Sequence, residues 1–395
     1  MPRRASRRVP ITSRATAQVF TTVLARGPVP RTEIARLTGL SSGAVTKAAR
    51  PLVEAGYLEE VPVEAPVGRG AGRPASPLAI RADREFFAGV KITTDELIGV
   101  LADLRCQVRT RVHRPLSSNE VMDVVAALGE VVTELCEASP DYAGRVHCLG
   151  VAVSGDVDKE RGFVRYSPFL RWREVPLGAL VAEVTGLTVT LENDVKALAV
   201  AEHLFGAGAG TANFALLTIG TGIGCALVVN GSLVAGANGV AGEIGHVPVS
   251  GDGPDCHCGG TGCVEAIAAT QAIVEAARAV TGQADLSIDQ AVWRARDGDA
   301  AVQEVFRRAG EAIGRGLAAM ANLIGPEKIV VSGEGVAAYD LFEKPIRTAF
   351  ARQAFGAAAY CPIVVDPLPF DEWARGAAAV AVQEFIFPGG GKGLR

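Results

Sequence analysis

Four potential metal ligands lie close together near the middle of the sequence. Cys256, Cys258 and Cys263 fall within eight residues, and His246 precedes them in a glycine-rich segment. Three thiolates and one imidazole complete the tetrahedral shell of a structural zinc ion, and a large chain without an export signal keeps such thiols reduced. These residues therefore predict one structural Zn²⁺ per chain. Two alternatives stay open: His257 replaces His246, or the three cysteines are free and buried.

Polar residues suited to a sugar precede and flank this cluster. Asn193 and Asp194 open a predicted helix directly after a predicted strand, and Glu243 and Glu265 stand at either end of the cysteine-rich loop. A carboxylate at such a strand end can act as general base toward a hydroxyl. The commoner role of an Asp at this position is helix capping. Carboxylates, an amide and the His246 imidazole on one cleft would suit a polyol, because each hydroxyl needs a donor and an acceptor.

A glycine-rich turn separates two predicted strands just before the cysteine-rich loop. It comprises Gly220, Thr221, Gly222 and Gly224. Since a strand rather than a helix follows the turn, it is not a dinucleotide-binding fingerprint. Backbone N–H groups in such a hairpin can cradle a phosphate. A plain glycine turn is equally consistent with the sequence.

The first fifty residues are basic, with ten Lys and Arg against Glu33 as the single acid, although the whole chain has a net charge of −4. Helical patterns at 14–26, 31–38 and 42–55, followed by a strand, predict a winged helix-turn-helix over residues 1–63. Its third helix would read the DNA major groove. A small protein-interaction module is the alternative, and we expect residues 1–13 to be disordered. The predicted DNA contacts in this part are Arg31, Ser41, Ser42, Gly43, Thr46, Lys47 and Arg50.

The remaining chain predicts an α/β protein. Residues 64–82 form a linker rich in Gly and Pro, whose Arg69 and Arg73 are predicted to enter a minor groove. Strands and helices then alternate in two sets, at 83–206 with 372–388 and at 207–371, which favours two lobes with a cleft between them. The expected elements include strands at 86–92 and 328–332 and a helix near 264–280, and we expect the tail 388–395 to be disordered. The sequence lacks a secretory leader and a membrane-spanning apolar run, which predicts a cytoplasmic, nucleoid-associated protein.

These motifs resemble those of the ROK family of repressors, open-reading-frame products and sugar kinases. The most specific element is Gly242-Glu243-Ile244-Gly245-His246 followed by the segment from Cys256 to Glu265. The resemblance covers nearly the whole chain and implies an actin-like, two-lobed ATPase fold behind a winged helix-turn-helix, with homodimers or homotetramers. It implies zinc on the four residues above and sugar contacts at Asn193, Asp194, Glu243, His246 and Glu265. It also implies that the glycine turn is the second phosphate-binding motif of the family.

The sequence departs from the kinases of that family at two places. Lys91 stands where the first phosphate motif has an aspartate, Thr93 replaces a glycine, and Asp95 adds a negative charge. A cation cannot ligate Mg²⁺, and Lys91 would instead neutralise Asp194, the residue matching the kinase base. Phe169 replaces an asparagine that contacts sugar, which puts an ordinary hexose ligand in doubt.

From these features we expect a sugar-responsive repressor that binds operator DNA and a small carbohydrate. We expect it to be a non-enzyme that does not use Mg-ATP, with Asp194 as a vestigial base. Two alternatives remain. One is an active ATP-dependent, glucokinase-like sugar kinase with a fused DNA-binding head, the name we use for the winged helix-turn-helix of residues 1–63. The other is a constitutive DNA-binding protein whose sensor domain no longer binds a ligand.

Overall fold

A computed structural model of the chain describes residues 9–62 and 76–387. It divides into two compact units, Met1–Phe205 with Trp373–Arg395, and Gly206–Glu372. Within the described ranges, no helix combines the length and low polarity needed to cross a bilayer.

The first unit begins with three short helices and a two-stranded wing. Val45, Ala48, Ala49 and Leu52 place one face of the third helix in the core, which explains its amphipathic pattern. Ser13 and Ser41 cap the first and third helices with their side chains. The elements are α1 (Arg14–Arg26), α2 (Arg31–Thr38), α3 (Ser42–Glu54), β1 (Leu58–Glu60) and β2 (Leu78–Ile80).

The wing differs from the sequence expectation at its second strand. Strand β2 lies inside the range 64–82 assigned to a linker and pairs antiparallel with β1, Leu58 opposite Ile80. Leu78, Ala79 and Ile80 are all buried, so three apolar residues stabilise a strand that Gly and Pro upstream obscured. Residue Val9, within the range 1–13 expected to be disordered, is also buried. The expected disorder of residues 1–8 and of the tail 388–395 lies outside the described residues.

A five-stranded sheet of order β10-β6-β3-β4-β5 forms the centre of the first unit. Strands β3, β6 and β10 run parallel, so their carboxyl ends lie side by side at one edge. A small sheet of order β7-β8-β9 is also present. The elements are β3 (Phe86–Ile92), β4 (Glu96–Asp103), β5 (Val108–Pro115), α4 (Val121–Glu137), β6 (Val146–Val153), β7 (Asp156–Asp158), β8 (Phe163–Ser167), β9 (Trp172–Val175), α5 (Leu177–Thr185), β10 (Thr188–Asn193) and α6 (Asp194–Phe205).

The second unit contains a five-stranded sheet of order β13-β12-β11-β14-β15. Strands β11, β14 and β15 are parallel, whereas β12 returns antiparallel to β11 through the glycine turn. Helix α10 supplies much of the core through residues such as Phe306, Ile313 and Leu317. The elements are β11 (Phe214–Ile219), β12 (Ile223–Val229), β13 (Ser232–Leu233), α7 (Val264–Ala268), α8 (Thr270–Thr281), α9 (Ile288–Arg296), α10 (Ala300–Ile324), β14 (Lys328–Ser332), α11 (Tyr339–Gln353) and β15 (Ile363–Val365).

The last helix, α12 (Glu372–Ile386), returns to the first unit. Any side chain at Gly89 of β3 or Gly150 of β6 would overlap the backbone of α12, so these glycines let the helix lie directly on the sheet. This close packing holds β3 and β6 in place, and with them the residues at their carboxyl ends.

Candidate functional site

A buried polar cluster occupies the carboxyl end of the parallel strands in the first unit. Lys91 of β3 and Glu192 of β10 flank Ala152 of β6 in register. Two residues further along, Ser154 and Asp194 follow their strands on the same edge. The Lys91 ammonium donates to an Asp194 carboxylate oxygen, as the sequence suggested, and to Ser154 Oγ at 3.0 Å. Ser154, which sequence reasoning missed, itself donates to Asp194 at 2.5 Å.

The electrostatics of Asp194 follow from this arrangement. Burial acts to raise the pKa of Asp194. The positive charge of Lys91 lowers it, and so do the hydrogen bonds from Lys91, Ser154 and the backbone N–H of Val195. The net result is a pKa below the usual value for aspartate. Lys91 and Asp194 are only 5% and 7% exposed, so water does little to screen the pair. A carboxylate held in this way is a weak proton acceptor.

The residue before it, Asn193, caps helix α6 and is held on both sides of its amide. Its Oδ1 accepts from the backbone N–H of Lys196 at 3.2 Å, and its Nδ2 donates to the Gly155 carbonyl at 3.1 Å. The capping role that we weighed for Asp194 therefore belongs to its neighbour. One predicted sugar ligand thus already has two intramolecular partners.

The turn that replaces the first phosphate motif uses several of its polar groups in hydrogen bonds within itself. Thr93 Oγ1 donates to the Glu96 carbonyl and accepts from the backbone N–H groups of Asp95 and Glu96. Asp95 is exposed. This turn therefore presents a carboxylate to solvent and uses its own N–H groups internally. Phe169, on the β8–β9 connection, is 47% exposed.

The four predicted metal ligands lie together in the second unit. Cys256 Sγ lies 3.5 Å from His246 Nδ1, and Cys258 Sγ lies 3.8 Å from Cys263 Sγ. A zinc tetrahedron with Zn–S bonds of about 2.3 Å and Zn–N bonds of about 2.0 Å has S–S edges of about 3.8 Å and S–N edges of about 3.5 Å. The three cysteine sulfurs lie within 4.8 Å of one another. The ligand atoms of His246, Cys256, His257 and Glu265 form a second group within the same distance, and Cys256 belongs to both groups. Together these residues form a Cys/His cluster that could hold a metal ion.

His257 points to a different partner. Its Nε2 lies 2.7 Å from Glu265 Oε1, and its ring meets that of His246 edge-on with centroids 5.0 Å apart. This contact engages one ring nitrogen of His257 with Glu265, whereas His246 Nδ1 lies beside Cys256 Sγ. The other Glu265 oxygen accepts from the backbone N–H of Ile223 at 2.9 Å, so this predicted sugar ligand is also hydrogen-bonded to the end of the glycine turn. Glu243 directly precedes the 3₁₀ turn Ile244–His246.

The glycine turn joins β11 to β12 in antiparallel register, with Ile219 opposite Ile223. Gly220 N–H donates to the Gly222 carbonyl at 3.1 Å, and Thr221 is exposed at the tip. A residue that sequence reasoning missed, Glu334, accepts from Thr221. No local motif marks this glutamate, because it is 113 residues away along the chain.

The DNA-binding candidates in the third helix share one exposed face. Ser41 Oγ accepts from the Ala44 N–H at 3.2 Å, so this hydroxyl serves as the helix cap. Lys47 is exposed, and Arg50 pairs with Glu54 at 2.7 Å with 79% of its side chain exposed. A polar and basic helix face of this kind suits phosphate and base-edge contacts. The exposed residues are Ser41, Ser42, Gly43, Thr46, Lys47 and Arg50.

Arg31 stands apart from this face. Its guanidinium donates to Glu60 at 2.6 Å and to the Ser76 carbonyl at 3.3 Å, and only 21% of its side chain is exposed. It joins helix α2 to the wing rather than presenting a free cation. Arg69 and Arg73 lie outside the described residues.

Several known proteins are similar to this chain over most of its length. The ROK family profile matches residues 87–384. The chain is 31% identical to the DNA-binding transcriptional dual regulator NagC of Escherichia coli over 327 residues, 80% of each chain. It is 27% identical to the DNA-binding transcriptional repressor Mlc of the same species over 372 residues, 92% of this chain and 91% of Mlc.

Solved structures agree with these relatives. A crystal structure of a ROK family transcriptional regulator, a homologue of E. coli Mlc, aligns with a TM-score of 0.79 and 26% identity over 94% of this chain and 96% of that one. A ROK family glucokinase from Streptomyces griseus, solved with glucose and AMPPNP, aligns with a TM-score of 0.63 and 30% identity over 75% of this chain and 99% of that one. The fold is therefore the actin-like one of ROK regulators and sugar kinases, and this chain belongs to the ROK family.

Proposed function

We propose that this chain is a cytoplasmic, DNA-binding transcriptional repressor that responds to a small sugar and does not phosphorylate it. The observation that carries the choice between regulator and kinase is the buried pair of Lys91 and Asp194. A general base must take a proton from the sugar hydroxyl, and a carboxylate with a lowered pKa accepts a proton poorly. The Lys91 ammonium also occupies the place of an Mg²⁺-binding carboxylate.

The relatives support the DNA-binding and sugar-responsive parts of the proposal. NagC and Mlc are named as DNA-binding regulators, and other relatives are named N-acetylglucosamine repressor and xylose repressor. The exposed face of helix α3, with Lys47 and Arg50, supplies the cations such binding requires. We also propose a homodimer or homotetramer, since paired heads read paired half-sites.

For the sugar we propose contacts from Asn193, Asp194, Glu243, His246 and Glu265. The carboxylates supply acceptors for hydroxyl groups, and the remaining groups complete the donor–acceptor pattern. Asp194 can still accept hydrogen bonds from a sugar. Each of its oxygens already accepts at least one bond, but a carboxylate has about four acceptor sites.

For the metal we propose one structural zinc ion on His246, Cys256, Cys258 and Cys263. Bound zinc would fix the loop between the 3₁₀ turn at Ile244–His246 and helix α7, and thereby hold Glu265. Two separations support this donor set: Cys258 Sγ to Cys263 Sγ and Cys256 Sγ to His246 Nδ1 each equal an edge of a zinc tetrahedron.

The test uses the purified, zinc-loaded full chain. A binding sequence is first selected from a random duplex DNA library, and fluorescence anisotropy then measures affinity at several salt concentrations with glucose, xylose and N-acetylglucosamine. In parallel, ADP release is followed for each sugar with Mg-ATP. We expect a selected sequence, at least a ten-fold change in its affinity with one sugar, and no sugar-dependent ADP.

Sugar-dependent ADP release at rates of about 1 s⁻¹ or more, within the range of ordinary enzymes, would overturn the non-kinase part and favour the sugar kinase with a fused head. Failure to enrich any DNA sequence would overturn the regulator itself. A sequence bound equally with and without every sugar would instead favour a constitutive DNA-binding protein.

A further inference from the structure

The glycine turn of the second unit lies beside a second turn that follows strand β14. Strands β11 and β14 are parallel neighbours, with Thr218 opposite Ser332. Both strands end at the same edge of the sheet, so the residues that follow them meet. Gly220 and Thr221 follow β11, and Glu334 follows β14.

The Glu334 carboxylate sits directly on the glycine turn. One of its oxygens accepts from the Thr221 backbone N–H at 2.8 Å and from Thr221 Oγ1 at 3.1 Å. A Cβ atom on Gly220 would overlap the carboxylate, so the missing side chain of Gly220 is the space that the carboxylate fills. A backbone N–H, a hydroxyl and a glycine-lined space are the features by which such turns bind phosphate oxygens.

Local geometry holds Glu334 at this position. Gly333 has φ +94°, and a Cβ atom there would lie 2.5 Å from the Ile219 carbonyl oxygen. A Cβ atom on Gly335 would lie 2.7 Å from Ile219 Cγ2. Gly333 and Gly335 thus allow the turn after β14 to contact the end of β11. The Glu334 side chain between them extends over the glycine turn.

We propose that Glu334 is a built-in anionic ligand of the glycine turn and excludes the phosphate groups of a nucleotide from it. A phosphate group would have to displace the carboxylate from Thr221 and then share the turn with a like charge. This inference extends the proposed loss of kinase activity from the first phosphate motif to the second and rests on that part of the proposed function.

The chain offers a matched control at the opposite ends of the same two strands. Glu327 precedes β14, and its carboxylate accepts from the backbone N–H groups of Ala212 and Asn213 at 2.7 and 2.9 Å, just before β11. Glu327→Gln therefore removes the same charge from the same kind of contact without touching the glycine turn.

The experiment measures binding of tripolyphosphate, without Mg²⁺, to the full chain by isothermal titration calorimetry. Tripolyphosphate tests the turn without a sugar or a nucleobase. Glu334→Ala removes both the charge and the obstruction, whereas Glu334→Gln removes the charge and keeps the shape. We expect at least ten-fold tighter binding to Glu334→Ala than to the wild type, an intermediate affinity for Glu334→Gln, and no gain for Glu327→Gln.

Equal affinity in the wild type and both Glu334 variants would overturn the inference, and so would absence of binding in all of them, because Glu334 would then not be what closes the turn. Circular dichroism and melting temperature check that each variant is folded, and the isosteric Glu334→Gln still tests the charge if Glu334→Ala fails to fold. ADP release by the wild type is scored separately. A failed tripolyphosphate result without ADP release therefore contradicts this inference and leaves the proposed regulator intact.

Discussion

The Lys91 ammonium contacts the Asp194 carboxylate inside the first unit, with both side chains almost fully buried. Removing one partner of a buried pair leaves an uncompensated charge, which costs about 3–5 kcal/mol. We therefore expect Lys91→Met to lower the free energy of unfolding in urea by about that amount. The double variant Lys91→Met with Asp194→Asn removes both charges and should recover most of the loss.

Arg36→Ala provides the comparison, because Arg36 pairs with Glu33 at the surface with 70% of its side chain exposed. Water and salt screen an exposed pair, so its effect on the same urea transition should be small. If the double variant were no more stable than Lys91→Met, the pair would not be the reason for the loss.

The exposed face of helix α3 predicts a salt-dependent effect on DNA. Each lost phosphate contact reduces the slope of log affinity against log salt by about 1. We expect Lys47→Ala and Arg50→Ala each to weaken binding of the selected duplex and to reduce this slope, as measured by fluorescence anisotropy. Arg31→Ala should leave the slope unchanged and lower head stability, because Arg31 is engaged with Glu60 and the Ser76 carbonyl.

Arg36→Ala again serves as control, now for an exposed arginine of the head outside α3. An unchanged slope for both Lys47→Ala and Arg50→Ala would remove α3 as the DNA-contacting face. A reduced slope for Arg31→Ala would show that Arg31 leaves Glu60 and binds phosphate.

The sequence predicted the bounds of helices α1 and α2 and of strands β3 and β14 because their apolar periodicity and end signals are local. It failed where burial depends on distant partners. Strand β5 was not predicted, since its exposed residues alternate with half-buried ones at the edge of the sheet. A single helix expected at 264–280 is two, α7 and α8, because Thr270 N–H donates to the Gly220 carbonyl at the break.

The candidate site shows the same division. The Cys and His cluster and the pairing of Lys91 with Asp194 were open to prediction, since short spacing or a substituted motif marks each of them. Ser154 and Glu334 have no local mark: adjacent parallel strands bring them to their partners. Their roles depend on strand order, which sequence spacing does not encode.

The metal cluster predicts that the two histidines differ in effect. His246 Nδ1 lies beside Cys256, whereas His257 is paired with Glu265. We expect His257→Ala to retain one zinc ion per chain and His246→Ala to lose zinc during dialysis, as measured by mass spectrometry of the metal content. Structural zinc contributes directly to folding, so His246→Ala and treatment with a chelator should both lower the melting temperature.

Cys361→Ser is the matched control, because Cys361 is a half-buried thiol whose Sγ donates to the Pro326 carbonyl, away from the cluster. It should bind one zinc ion. Zinc retention by His246→Ala together with zinc loss from His257→Ala would show that His257, and not His246, is the ligand. Equal retention in both would contradict a tetrahedral site that includes either one.

Tyr57, between helix α3 and strand β1, joins the head to the rest of the first unit. Its ring lies 6.4 Å from that of Phe20 in α1 and 6.5 Å from that of Phe385 in α12, and its hydroxyl donates to Glu85 at 3.4 Å. Truncation of a buried aromatic side chain costs about 3–5 kcal/mol, so Tyr57→Ala should lower the free energy of unfolding by that much.

Tyr57→Phe keeps the ring contacts, and Glu85 retains His147 at 3.2 Å, so its cost should stay near 1 kcal/mol. Tyr360→Ala, at a tyrosine that is 88% exposed, should change stability by less than about 0.5 kcal/mol. Because the ring bridges α1 and α12, Tyr57→Ala should also separate urea unfolding, followed by fluorescence and circular dichroism, into an early head transition and a later one. A single transition with a loss no larger than that of Tyr360→Ala would mean that contacts other than Tyr57 hold the head against α12.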